Sequence, residues 1–215
     1  MKWSRHALTV SGIVVFVALS SHTSFGAEAG ESKKPAMSKT PAVVDSVALL
    51  ERAVAKDSSK FENLYKLGVM YLDHDRVPEA IRVLARATQV KPKEVQALVN
   101  LGAAYDAAGN SDQAQLWYRK SLEVAPDDSI ATCRLASSLY AQSKYPEAMS
   151  LLRTLIANKP GSFCAYFTMG VAFADAGIYR EAIKMWKKVV ELAPTSQEAV
   201  SAKESIDVLE KFMKQ

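Results

Sequence analysis

Between residues 61 and 194 apolar side chains recur every three or four positions, as one face of a helix requires, and small polar clusters interrupt them at regular intervals. Leu64, Leu67 and Tyr71 share one such face, and Ala80, Leu84 and Ala87 share the next. The clusters DHDR (73–76), AAGN (107–110), AQSK (141–144) and DAGI (175–178) carry turn residues, with Gly109 and Gly177 offering positive φ at a helix end. Pro78 and Pro146 stand where a second helix begins, a position at which the missing N–H costs nothing. The pattern predicts pairs of amphipathic helices joined by tight turns, each pair closed by a proline that cannot continue the helix.

The pairs are copies of one another. At a period of 34 residues four copies, 61–94, 95–128, 129–162 and 163–196, align without an insertion or deletion. A small-residue slot holds Gly68, Gly102, Ala136 and Gly170; an alanine slot holds Ala80, Ala114, Ala148 and Ala182; a closing slot holds Pro92, Pro126, Pro160 and Pro194. Antiparallel helices that cross closely need small side chains at the crossing, so Gly68 is expected to face Ala80. Upstream, SVALLERAVAK (46–56) reads as a second helix alone, with Leu50 and Ala53 in its large and small slots, and predicts a capping helix over 43–60. Downstream, Ala199, Ala202, Ile206, Leu209 and Met213 form one apolar stripe over 197–215. Lys203 and Glu204 sit there where Leu and Gly would stand, so that helix caps the array without repeating it.

Leu-Gly-x-x-Tyr, then Ala, then a large apolar residue, then Pro, at period 34, resembles the tetratricopeptide repeat (TPR) family over residues 61–194. The third copy departs with Ala136 and Leu139 for Gly and Tyr, the fourth has Phe173 for Tyr, and Leu64, Leu98, Thr132 and Tyr166 occupy the slot usually held by Trp. The resemblance implies an all-α fold, a right-handed α-solenoid of four TPR helical hairpins with half-repeat caps at both ends. It also implies that the first helix of each hairpin lines a concave groove. The groove residues would then be Tyr65, Val69, Leu72, Val99, Ala103, Asp106, Cys133, Ser137, Tyr140, Phe167 and Val171, followed by Ala174. Such a groove implies a non-catalytic protein–protein interaction scaffold that receives an extended or helical segment of a protein or peptide partner, with Tyr65, Tyr140 and Phe167 as anchors. For Val69, Val99, Ala103 and Val171, packing between repeats accounts for the side chain equally well. Some family members hold acidic C-terminal peptides in a carboxylate clamp. Asn100 and Arg134 match two of its slots, but Tyr65, Val69 and Ile130 fill the three where Lys or Asn is needed, which argues against a clamp.

Composition adds compartment and excludes some chemistry. Apolar residues make up 49% of the 215-residue chain, enough to bury a core. The net charge of +4 comes from 27 basic and 23 acidic residues with the signs interspersed, so no nucleic-acid partner is expected. Lys2 and Arg5 precede an apolar run from Ala7 to Leu19 followed by small residues, which predicts an export signal peptide over 1–29, cleaved after Gly26 or Ala29. The run is shorter than the roughly 20 residues a bilayer-spanning helix needs. If it were retained, the protein would be a membrane-tethered scaffold, the one reading in which a membrane enters. GESKKPAMSKTPA (30–42) has no apolar periodicity and predicts a flexible linker. The expected location is periplasmic or secreted, with a role in envelope or secretion-linked complex assembly. A self-associating structural protein, a homo-oligomer, is the remaining alternative.

No catalytic constellation, metal set or phosphate-binding loop emerges from the spacing, so neither an enzyme nor a cofactor is expected. His74, the one histidine beyond the signal, falls in a turn without Cys or carboxylates at ligand spacing. Cys133 and Cys164 fall on the first helices of adjacent repeats, offset by three residues. Packed helices lie about 8–10 Å apart and a disulfide wants Cα atoms about 4.4–6.8 Å apart, so free thiols are expected.

Overall fold

A computed structural model of the chain describes residues 41–214. The expected signal peptide and residues 30–40 of the expected linker lie outside the described residues; Pro41 and Ala42 already belong to a helix. The order is α1 (Pro41–Lys56), α2 (Phe61–Asp73), α3 (Val77–Val90), α4 (Val95–Ala107), α5 (Ser111–Val124), α6 (Ser129–Ala141), α7 (Tyr145–Asn158), α8 (Phe163–Asp175), α9 (Tyr179–Leu192) and α10 (Gln197–Phe212). No strand occurs among the described residues. Helices α2, α4, α6 and α8 are the first members of the four hairpins, α3, α5, α7 and α9 the second, and each class starts at intervals of 34 residues.

The turn inside every hairpin is the same backbone motif. Asp75, Gly109, Ser143 and Gly177, again 34 apart, all take positive φ, at 56°, 73°, 62° and 75°. The sequence marks only the two glycines; the same geometry is imposed on Asp75 and Ser143, which accept it at a conformational cost. Asn110 and Asp128 then cap α5 and α6 by accepting from the backbone N–H groups of Gln113 and Ala131. Pro78 and Pro146 lie in the first turn of α3 and α7.

At the hairpin crossings the nearest neighbour of each small slot is a large residue one turn beyond the alanine slot. A Cβ added to Gly68 would meet Leu84 first, at 2.5 Å from Cγ; one on Gly102 would meet Tyr118 at 2.5 Å from Cε1, and one on Gly170 would meet the indole of Trp186. Leu84, Tyr118 and Trp186 occupy one slot of the repeat, a turn beyond the alanine slot, and all are fully buried. A large side chain laid over a bare backbone fills the crossing, whereas two small ones facing each other would leave a void. In the third copy the same slots hold Ala136 and Leu152, both buried in one cluster.

The core is a continuous strip. Buried residues group into three successive clusters, and Tyr105 and Phe173 pack against two clusters each, so the interior runs along the array as expected when each repeat meets only its neighbours. The ends are tied down by specific contacts. Glu51 of α1 accepts from Tyr71 Oη at 2.7 Å and Arg76 Nη1 at 3.0 Å, while α10 is held by Lys187–Glu210 at 2.9 Å and an edge-on Tyr179–Phe212 contact at 5.6 Å.

Candidate functional site

Each first helix packs on the first helix of the next repeat: α2 on α4, α4 on α6, α6 on α8, with α10 continuing the row against α8. The second helices reach forward to the next hairpin's first helix, while their backbones stay farther from one another and meet through long side chains, as Arg119 of α5 does with Glu147 of α7 at 2.8 Å. Closer spacing within the first row than within the second bends the array toward the first row, which puts α2, α4, α6 and α8 on the concave side.

The sequence-derived groove residues separate into two groups on this face. Val99 and Cys133 are buried between repeats, at 7% and 6% exposure, and cannot present their side chains to a partner. The remaining nine are half-buried, among them the aromatic residues Tyr65, Tyr140 and Phe167. Tyr65 is positioned by its ring stacked on Phe61 at 5.8 Å and by Asn100 Nδ2, which donates to its hydroxyl at 3.0 Å. Tyr140 donates its hydroxyl to Asp175 Oδ2 at 3.0 Å, and its ring lies 4.9 Å from that of Tyr145. Phe167 packs against the cluster around Trp186. Val69, Leu72, Ala103, Ser137 and Val171 are half-buried on the same first helices. His74 is exposed at the end of α2.

Asp106 has a different role from the one its slot suggests. Its Oδ2 accepts from Tyr118 Oη and its Oδ1 from Ser138 Oγ, both at 2.9 Å, so it joins the second and third repeats from below the face. Burial pushes its carboxyl above the usual aspartate range, opposed by those two bonds. Burial likewise raises the Tyr118 phenol, which therefore stays a donor. The folded state thus favours protonated Asp106 relative to the unfolded chain. Its contribution to stability falls as pH rises from the unfolded value toward the raised folded one, and Asn at this position has no such dependence. In urea titrations at a series of pH values, the stability of Asp106→Asn relative to the parent is expected to improve as pH rises through that window. An advantage that shrinks with pH would refute the assignment.

The expected free thiols are also corrected. Cys133 and Cys164 form a disulfide between α6 and α8, with Cα atoms 6.1 Å apart. Interaxial spacing overstated the gap, because facing Cα atoms each lie about 2.3 Å off their helix axis toward the partner. Sequence reasoning also missed the cross-repeat partners Asn100, Ser138 and Asp175. Their pairings join residues 32 to 35 positions apart, so only the 34-residue period could have indicated them.

Sequence profiles of the tetratricopeptide repeat match residues 45–95, 71–132 and 165–196. The chain belongs to the tetratricopeptide-repeat family. Among solved structures, this TPR chain superposes on MamA with a TM-score of 0.60 at 23% identity, covering 70% of this chain and 88% of that one. It superposes on YrrB, described as a TPR protein with an unusual peptide-binding site, with a TM-score of 0.55 at 21% identity, over 76% of this chain and 84% of that one. At these identities the likeness is one of fold. The human protein O-mannosyl-transferase TMTC1 is 30% identical over 94 residues, 44% of this TPR chain but 10% of its own length, so the chain spans a small part of that curated relative.

Proposed function

We propose that this TPR protein is a non-catalytic scaffold whose concave face receives an extended or helical segment of another protein. The observation that carries the reading is the set of half-buried aromatic rings on the first helices, Tyr65, Tyr140 and Phe167, the two tyrosines each held by a hydrogen bond to the next first helix and Phe167 packed against the cluster around Trp186. Rigid aromatic residues held in place before binding are the side chains that concentrate binding energy at interfaces. The peptide-binding site attributed to YrrB, a protein of the same fold, supports the same use. We infer further that the protein is exported and serves complex assembly in the envelope or outside it. The charged-then-apolar N-terminus supports that location, and so does the disulfide, since such bonds persist in oxidising compartments.

Crosslinking in the native compartment identifies the captured chain, and Tyr65→Ala with Phe167→Ala then tests the face. If each ring acts as an anchor worth about 2 kcal/mol, the double variant binds at least about a hundredfold more weakly. Unchanged affinity with intact helical content rejects the assignment, and concentration-dependent mass in light scattering without any captured chain favours self-association instead.

A further inference from the structure

We propose that the Cys133–Cys164 disulfide is a redox-controlled staple that sets the rigidity of the second half of the concave face. The inference rests on the reading of that face as the binding surface. Cys133 occupies the repeat slot shared by Tyr65 and Phe167, and Cys164 is the second residue of α8, so the bond ties two neighbouring first helices on the side a partner would meet. Hydrogen bonds between first helices include Asn100 to Tyr65 between α4 and α2, Ser138 to Asp106 between α6 and α4, and, at the disulfide's own α6–α8 junction, Tyr140 to Asp175. Only the junction of α6 and α8 is covalent, and therefore only it responds to thiol chemistry.

That junction adjoins the repeat with the least packing of its own. Thr132 stands where the other copies have Leu64, Leu98 and Tyr166, and its hydroxyl turns back to donate to the Asp128 carbonyl at 2.8 Å. Leu139 stands where the others carry an aromatic ring. A covalent link offsets what these substitutions give up.

Cys133 is buried and Cys164 is half-buried, so an incoming thiolate reaches the bond on the Cys164 side. A dithiol oxidoreductase would form a mixed disulfide with Cys164 and release Cys133 as thiolate. Its second thiol then displaces Cys164, so the reductant leaves as a disulfide while the two cysteines gain two electrons and two protons. The reverse exchange with an oxidised partner of the same class restores the staple. Since each repeat meets only its neighbours, loosening is confined to the helices near the bond.

Hydrogen exchange on the full exported chain, before and after treatment with a dithiol reductant, tests the proposal. Amides of α6 and α8 are expected to exchange about tenfold faster once reduced, with α2 and α3 unchanged. The Cys133→Ser/Cys164→Ser variant is expected to match the reduced chain and to ignore the reductant. Equal rates at α6 and α8 in both states, acceleration that spreads equally to α2 and α3, or an unreduced chain whose intact mass shows two free thiols would each overturn it. No partner enters the measurement, so its failure is distinct from failure of the Tyr65 and Phe167 test.

Discussion

Gly102→Val is expected to lower the unfolding midpoint by about 6–12 °C, corresponding to about 3 kcal/mol of overpacking in a domain of this size. A Cβ at this position would lie 2.5 Å from Tyr118 Cε1 and 2.7 Å from Cδ1. The ring has nowhere to go, because Tyr118 is fully buried and its hydroxyl is bound to Asp106. Gly68→Ala provides the internal contrast. Its methyl would meet Leu84 Cγ at 2.5 Å, yet the third copy already holds Ala136 and Leu152 in these slots, so a leucine can yield there. Replacing a helical glycine by alanine also returns about 1 kcal/mol of helix propensity, which leaves Gly68→Ala near neutral and Gly102→Ala clearly destabilising. Urea denaturation of the two alanine variants decides the matter, and equal stabilities would show that the aromatic ring is not the obstacle.

Trp186→Ala is expected to cost about 3–5 kcal/mol, with Trp186→Phe costing about a third of that. Trp186 is the largest fully buried side chain among the described residues and lies over Gly170. Its Nε1–H has no hydrogen-bond partner among the described residues, so phenylalanine retains most of the packing while removing an unpaired polar group. Trp186 joins α9 to α8 and α10 within one cluster, and melting in the alanine variant should therefore begin at the C-terminal end while α2 to α4 keep their exchange protection. Uniform loss of protection along the array would instead indicate a single cooperative unit.

Much of the array was legible because a helical hairpin is a local object. The turn, the proline at a helix start and the apolar face each depend on residues a few positions apart, and the 34-residue period repeats the helical hairpin in all four copies, with the proline and the turn glycine in two copies each. The candidate face was legible only as far as the resemblance carried it. Tyr65, Tyr140 and Phe167 look alike with Val99 and Cys133 in sequence, since all stand in groove slots. Burial separates them, and burial depends on how far one hairpin is rotated against the next.

The same division runs through the chemistry. Asp106 looked like a lining residue until two hydroxyls from other helices were found to end on it, and the cysteines looked too far apart until the faces of α6 and α8 were placed. The sequence by itself determined the helices, their pairing, their number of repeats and the small slots at the crossings, because those follow from periodicity and side-chain volume over short spans. Only the tertiary structure decided which large residue covers each small slot, which groove positions stay open to a partner, and that Cys133 bonds Cys164. Those outcomes depend on the distance and rotation between helices more than 30 residues apart, quantities that no local pattern encodes.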